Sequence, residues 1–210
     1  MDQANFFTTP IWVEQKFDFV TSLNKASNKY INEARKRKEI KDYIKKHGEF
    51  GLSYHSTPLL QDNDFLDMKQ YVGHKSWEFL DAMGYDMSQY QTMFSEMWVQ
   101  EFSKKGGGHH SAHVHCNQHV SGFYFLKCSP KTSFPIFHEP RTGARATALK
   151  MKSSEILPGT STVHFNPKPG TLLIFPGYLE HEFAVDHGKE PFRFIHWNIQ
   201  AVPKEMAKDV

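Results

Sequence analysis

Histidine is the residue type in this chain with the greatest potential for chemistry. It occurs 13 times in 210 residues, and five of these histidines lie between Gly108 and Val120. His113 and His115 are two residues apart, and on a β-strand the side chains at positions i and i+2 project from the same face. Two imidazoles on one face could hold one metal ion, but imidazole suits iron, zinc, copper and nickel alike. The pair alone therefore does not select a metal, and two histidines of a solvated loop would look the same.

A second segment adds a third histidine and an arginine. Residues 171–176 form an apolar run that predicts a buried strand, and Gly177 predicts a turn before His181. Arg193 follows twelve residues later, again in an apolar run. A buried guanidinium requires an anionic partner, and its planar fork matches a carboxylate. That carboxylate could belong to a dicarboxylic ligand beside a metal, or to a glutamate in a structural ion pair.

Together these segments resemble the double-stranded β-helix oxygenases that depend on 2-oxoglutarate and Fe(II). The resemblance covers about residues 92–203 and is carried by two runs, WVQEF (98–102) through HVHCNQHVSGFYFL (113–126) and PGTLLIFP (169–176) through His181 to Asn198. It is greatest to oxygenases of phages and marine bacteria that are related to prolyl hydroxylases.

The resemblance implies a role for each matching residue. His113, His115 and His181 would bind Fe(II), and Arg193 would pair with the far carboxylate of the cosubstrate 2-oxoglutarate. Three further residues would contact the cosubstrate or the ligands: Tyr124, Asn117 and Asn198. The implied reaction uses O2 and 2-oxoglutarate to hydroxylate an unidentified substrate, either a peptide or protein side chain or a small molecule.

His115 departs from the family pattern, because most members have Asp or Glu at this position. A nearby carboxylate such as Glu139 could supply the third ligand instead. Two other functions stay open: a three-histidine thiol dioxygenase, in which Arg193 would bind the carboxylate of the substrate, and a cupin-like protein whose metal only stabilises the fold. The remaining histidines of the cluster, His109, His110 and His119, are expected in near-surface loops.

The predicted fold is mainly β with N-terminal helices, a double-stranded β-helix of the jelly-roll, cupin-like type, in a single domain (1–210). Residues 1–91 form a mainly helical supporting region with an extended segment at 6–13 and helices at 17–46 and 62–82. Residues 92–203 form the catalytic core. Eight strands are predicted in this core: 92–102, 111–115, 120–127, 133–138, 161–166, 171–175, 181–185 and 192–201. The segment 130–158, which carries Arg141, Arg145, Lys150 and Lys152, is either a lid over the site or a solvated loop.

Composition limits the partners of the protein. The chain has 25 Lys and Arg against 23 Asp and Glu, a net charge of +2, which gives no indication of a nucleic-acid or membrane partner. Two cysteines, Cys116 and Cys128, cannot form a disulfide framework. We therefore expect a protein of a reducing compartment, the cytoplasm, and the resemblance to phage proteins extends this to the cytoplasm of an infected bacterial host.

Overall fold

Two antiparallel sheets face each other in the computed structural model, which describes residues 2, 4 and 6–206. The larger sheet has six strands in the order β1-β8-β5-β10-β3-β2, and the smaller has four in the order β4-β9-β6-β7. The strands are β1 (Trp12–Gln15), β2 (Ser53–His55), β3 (Tyr90–Phe102), β4 (His110–His113), β5 (Val120–Lys127), β6 (Pro135–His138), β7 (Thr162–His164), β8 (Thr171–Pro176), β9 (His181–Phe183) and β10 (Arg193–Pro203).

Alternation along the central strands separates two hydrophobic clusters. On β10, Ile195 and Trp197 point to one face of the large sheet, where they pack in a cluster with residues of the helices. Phe194 points to the other face, where a phenylalanine-rich cluster fills the space between the two sheets. Because side chains alternate strictly on a strand, every second residue of β3, β5 and β10 faces the interior between the sheets.

Helices α1 (Val20–Lys36) and α3 (Leu66–Ala82) pack on the outer face of the large sheet, and α2 (Lys38–His47) packs on α1. The short α4 (Thr142–Ala146) lies between β6 and β7 of the small sheet along the chain. The predicted helix 17–46 is divided in two, because Arg37 has an extended backbone with ψ 143° and so ends α1. Asp62 accepts a hydrogen bond from the backbone N–H of Asp64 before α3, and Gly84, with φ 93°, follows its end. Among the described residues, no helix is long and apolar enough to cross a membrane.

Gly122 permits the closest packing in the large sheet. A Cβ atom at this position would lie 2.2 Å from Cζ2 of Trp197 and 2.7 Å from the carbonyl oxygen of Leu173. Only glycine leaves room for the indole of Trp197, which is fully buried on the neighbouring strand β10. This packing fixes β10 against β5, and β10 carries several residues of the site described below.

All eight predicted strands are present, with ends that differ by up to two residues. The structure adds β1 and β2, which come from the N-terminal region and pair with β8 and β3. The predicted extended segment 6–13 partly overlaps β1. Strand β2 was not predicted, because Ser53–His55 has only three residues and a single apolar side chain. Both strands extend the large sheet at its edges, so the N-terminal region contributes to the sheet as well as covering it.

Candidate metal centre

Three histidines converge at one end of the space between the sheets. His113 ends β4 and His181 begins β9, and the two residues are paired across these strands. One ligand atom from each of His113, His115 and His181 lies within 4.8 Å of the other two. The ring centroids are 4.6 Å apart for His113 and His181, and 5.2 Å apart for His115 and His181. Such a cluster of neutral nitrogen donors fits a divalent transition metal.

The prediction that His113 and His115 share one strand is only partly right. Strand β4 ends at His113, and its pairing with β9 is irregular between His110 and His113. His115 lies two residues beyond the strand, where its backbone N–H donates to the carbonyl oxygen of Gly177. This hydrogen bond holds His115 beside the turn that leads to His181, so the two imidazoles still meet.

Hydrogen bonds from the backbone orient two of the three rings. Nδ1 of His113 lies 2.7 Å from the carbonyl oxygen of Ser111, and Nδ1 of His181 lies 2.8 Å from that of Leu179. A carbonyl oxygen only accepts, so each Nδ1 carries the proton and Nε2 keeps its lone pair for a metal. Nε2 of His181 and Nε2 of His115 are buried and have no partner among the described residues. Unpaired buried nitrogens that face one another are the expected state of a metal site without its ion.

Burial favours the uncharged form of four imidazoles at this site, those of His110, His115, His181 and His196. Desolvation, the largest cause, lowers the pKa of His181 to about 3 and the pKa of His115 to about 4. It also lowers the pKa of His110 to about 4 and holds that of His196 well below its usual range. A neutral imidazole is the form that binds metal, so no proton has to leave these rings at neutral pH.

We expect the stability of the metal-free protein to fall with pH below 6.5. The unfolded chain protonates these histidines near pH 6.5, whereas the folded chain keeps them neutral to about pH 4. The unfolded state therefore binds more protons in this window, and the free energy of unfolding should decrease by at least about 2 kcal/mol from pH 7 to pH 5. Urea unfolding of the metal-free protein at pH 7 and pH 5 measures this decrease in the free energy of unfolding.

The variant His196→Phe provides a comparison for this prediction, because it removes a fully buried imidazole while keeping a ring at the position. Its stability should depend less steeply on pH than that of the wild type. Equal stability of the wild type at pH 7 and pH 5 would contradict the assignment of these rings as buried and neutral.

A narrow cavity adjoins the three histidines, with about 220 Å³ of space not filled by atoms. Besides these histidines, its lining residues are Trp98, Gln100, His110, Phe123, Phe183, Phe194 and His196. His196 stacks on His115 with ring centroids 4.7 Å apart, and its Nδ1 lies 3.0 Å from the carbonyl oxygen of Gly122. None of these additional polar residues was predicted to belong to the site. Strand alternation could have indicated two of them, since Gln100 and His196 have the inward parity of β3 and β10.

His110 is also in a different place from the one expected. It begins β4 and its Nε2 lies 2.6 Å from Nε2 of Gln100, so it lines the cavity instead of lying in a near-surface loop. His109 and His119 are exposed, as expected for the other two histidines of the cluster.

Arg193 lies on the opposite face of the large sheet from the histidines. Its Nε and Nη2 bind one carboxylate oxygen of Glu101 at 2.7 and 2.6 Å, and its Nη1 donates to Asn28 of α1. Arg193 is 3% exposed and Glu101 2%. Of the two predicted partners of this arginine, the structure shows the glutamate of an ion pair. The physical reason is strand parity, because Arg193 shares its face with Ile195 and Trp197.

Of the three other residues predicted to contact the cosubstrate or the ligands, one lies at the histidine cluster and two lie away from it. Tyr124 points to the helical side, where its hydroxyl donates to the carbonyl oxygen of Lys16, so it does not reach the cavity. Asn117 lies in an exposed turn with φ 61°. Only Asn198 is at the metal cluster: its amide nitrogen lies 3.0 Å from Nδ1 of His115, and its oxygen accepts from the Ser121 hydroxyl.

Glu139, the alternative third metal ligand, binds an arginine and lies outside the histidine cluster. Its carboxylate binds the guanidinium of Arg141 through both oxygens, and it is not part of the three-histidine group. Glu139 belongs to the segment 130–158, which also contains the secondary-structure elements β6 and α4. Arg145 of α4 forms an ion pair with Glu180, the residue before His181. The segment is thus attached beside the site, and its role as a lid stays a prediction.

Comparison with known proteins agrees with this fold. Residues 96–195 match the family described as "Putative 2OG-Fe(II) oxygenase". No curated protein matches the chain significantly.

Solved structures of similar fold cover most of the chain. A prolyl-4-hydroxylase of Pseudomonas putida is 14% identical with a TM-score of 0.52, and the match covers 92% of this chain and 94% of that one. EctD of S. alaskensis, solved with 2-oxoglutarate and 5-hydroxyectoine, is 11% identical with a TM-score of 0.60, and 92% and 73% are covered. A prolyl hydroxylase of Trichoplax adhaerens, solved with a peptide fragment, is 10% identical with a TM-score of 0.52, and 91% and 84% are covered.

The matched segment, just under half of the chain, resembles the 2-oxoglutarate/Fe(II) oxygenases, a class of dioxygenases. The resemblance predicted from the two sequence runs is confirmed, as is the double-stranded β-helix fold. The three-histidine cluster agrees with the iron that this class requires.

Proposed function

We propose that the protein is a non-haem dioxygenase that uses Fe(II), 2-oxoglutarate and O2 to hydroxylate a peptide side chain or a small molecule. His113, His115 and His181 would hold the iron. The observation that carries this proposal is the meeting of three imidazoles at one end of a double-stranded β-helix, inside the segment that matches the oxygenase family.

When bound, iron and 2-oxoglutarate supply the oxidation: one oxygen atom of O2 enters a C–H bond of the substrate and the other enters succinate, with release of CO2. The protein contributes position and exclusion of water. The Ser111 and Leu179 carbonyls fix two ring orientations, as described above. Phe123 and Phe175 pack edge-on against His181, with ring centroids 5.5 and 4.9 Å away. These aromatic neighbours keep water from one side of the cluster and leave the side toward Gln100 and His110 as the cavity.

The two proposed substrate classes, a peptide side chain and a small molecule, are both suggested by structural neighbours. One neighbour was solved with a peptide fragment and another with the small molecule 5-hydroxyectoine. Only about 20 Å³ of this cavity can hold the centre of a water-sized molecule, far less than the roughly 300–1,000 Å³ of ordinary ligand pockets. Cosubstrate and substrate would therefore approach from the side of His113, which is half-buried.

Anaerobic titration tests this function. Apo-protein is loaded with Fe(II), and 2-oxoglutarate is then added while the visible spectrum is recorded. We expect one equivalent of iron to bind and a weak charge-transfer band to appear with saturable dependence on 2-oxoglutarate. Iron binding without a band would contradict the cosubstrate, and oxygen uptake with a small thiol in place of 2-oxoglutarate would favour a thiol dioxygenase. Absence of iron binding would contradict the proposed function as a whole.

A further inference from the structure

His115 differs from the other two histidines of the cluster in the partner of its Nδ1. In His113 and His181 this nitrogen faces a backbone carbonyl oxygen, which only accepts. In His115 it lies 3.0 Å from Nδ2 of Asn198, an amide nitrogen that only donates. Nδ1 of His115 therefore accepts, and the proton of the neutral ring is on Nε2. This Nε2 is buried and has no partner among the described residues.

Two neighbours fix which end of the Asn198 amide faces His115. Nδ2 of Asn198 also donates to a carboxylate oxygen of Glu96, which lies opposite Asn198 on the neighbouring strand β3. Oδ1 of Asn198 accepts from the Ser121 hydroxyl. A carboxylate only accepts, so turning the buried amide end for end would place its oxygen against the oxygen of Glu96. The orientation of the amide, and with it the tautomer of His115, thus depends on Glu96.

The tautomer selected in this way is the wrong one for a metal ion. A metal binds the lone pair of a ring nitrogen, and in this tautomer the only lone pair of His115 is on Nδ1, which Asn198 occupies. For Nε2 to bind, the proton must move from Nε2 to Nδ1 of the same ring, which stays neutral. At Nδ1 it would meet the N–H of Asn198, unless the amide turns and accepts it. That turn costs the hydrogen bond between Asn198 and Glu96.

We propose that Glu96 and Asn198 are positioning residues that keep His115 out of the metal-binding tautomer until a metal ion is held by His113 and His181. His115 is then the last of the three ligands to bind, and a turn of the Asn198 amide accompanies its binding. This inference rests on the proposed function, because it concerns the iron site of that function. It makes the metal affinity of the site depend on a glutamate whose link to the histidines runs through Asn198.

The tautomers can be measured directly in the metal-free protein. Two-bond 1H–15N correlation spectra of the imidazole rings distinguish a protonated Nδ1 from a protonated Nε2, and each ring is identified by its absence from the spectrum of the matching alanine variant. We expect Nδ1–H for His113 and His181, and Nε2–H for His115. In Glu96→Gln the proton of His115 should shift toward Nδ1, since a glutamine amide can donate to the turned oxygen of Asn198.

Metal affinity gives a second measurement, in the double variant Glu96→Gln/Asn198→Asp. This variant keeps the net charge of the wild type and offers Nδ1–H of His115 a carboxylate acceptor. Metal binding then breaks no hydrogen bond to a carboxylate, and such bonds contribute about a factor of ten or more. The double variant should therefore bind cobalt(II), measured anaerobically by its visible absorption, at least about tenfold more tightly than the wild type.

The matched control is Glu78→Gln/Asn32→Asp. It makes the same two substitutions on helices α3 and α1, where Glu78 accepts from Lys75 and Asn32 is exposed. This variant should bind cobalt(II) as the wild type does.

The outcomes separate this inference from the function it rests on. A wild-type His115 with its proton on Nδ1 would overturn the inference, and so would an unchanged cobalt affinity in Glu96→Gln/Asn198→Asp. Either result, together with a 2-oxoglutarate band in the iron-loaded wild type, would leave the proposed function intact. Failure of both the wild type and the double variant to bind iron or cobalt would overturn the function and the inference together.

Discussion

Replacing His181 by alanine should weaken iron binding by at least about 100-fold. His181 is 1% exposed and contacts both other histidines of the cluster, so its loss removes one of three nitrogen donors and opens the site to water. Changes to residues that merely support metal ligands already lower affinity 10- to 100-fold, and loss of a ligand itself should be at least as severe. Iron content after anaerobic loading and desalting measures the effect.

The control is His164→Ala, because His164 lies on β7 of the same small sheet with its side chain exposed. This variant should bind iron as the wild type does. Retention of a full equivalent of iron by His181→Ala would contradict the metal site, provided that the variant is folded.

The third ligand can be tested in the same assay. His115→Ala should lose iron, whereas Glu139→Ala should retain it, because Glu139 is engaged by Arg141 and lies outside the cluster. Iron retained by His115→Ala and lost by Glu139→Ala would exclude the three-histidine site and identify the Glu139 carboxylate as the third ligand.

The metal cluster was predictable from sequence because its signal is local. The spacing of His113 and His115 and the position of His181 after a strand and turn bring these side chains together in any sandwich that pairs the two segments. The end of β4 at His113 was not predictable, because it depends on an irregular pairing with β9. The three histidines still meet, because the hydrogen bond from the backbone N–H of His115 to the carbonyl oxygen of Gly177 holds His115 beside His181.

The face on which Arg193 lies could not be predicted in the same way. An apolar run such as that around Arg193 indicates burial, but here both faces of β10 are buried, one under helices and one between sheets. The sequence shows that Arg193 and His196 have opposite parity on the strand, yet it does not show which parity faces the metal. That choice is made by packing: Trp197 over Gly122 directs the odd-numbered residues of β10 toward the helices.

The largest effect on stability is expected from the ion pair that Arg193 forms. Glu101 is the carboxylate of a cluster with three cations, since Arg193 and Arg35 each bind it at 2.6 Å and the Lys127 ammonium lies 3.7 Å away. Removing one partner of a buried pair leaves an uncompensated charge and typically costs about 3–5 kcal/mol. Glu101→Leu should lie at the upper end of this range, because it leaves a buried guanidinium beside two other positive charges.

Arg193→Met should cost less, about 3 kcal/mol, because Arg35 and Lys127 still compensate the carboxylate. The double variant Glu101→Leu/Arg193→Met should be more stable than Glu101→Leu alone, since it removes the buried positive charge as well, and Arg35 and Lys127, each more than a third exposed, remain solvated. Urea unfolding of the wild type and the three variants gives the coupling energy between the two residues. Additive effects of the single substitutions would contradict a direct buried pair. A strong coupling would show that this arginine supports the scaffold from the face of the sheet opposite the histidines.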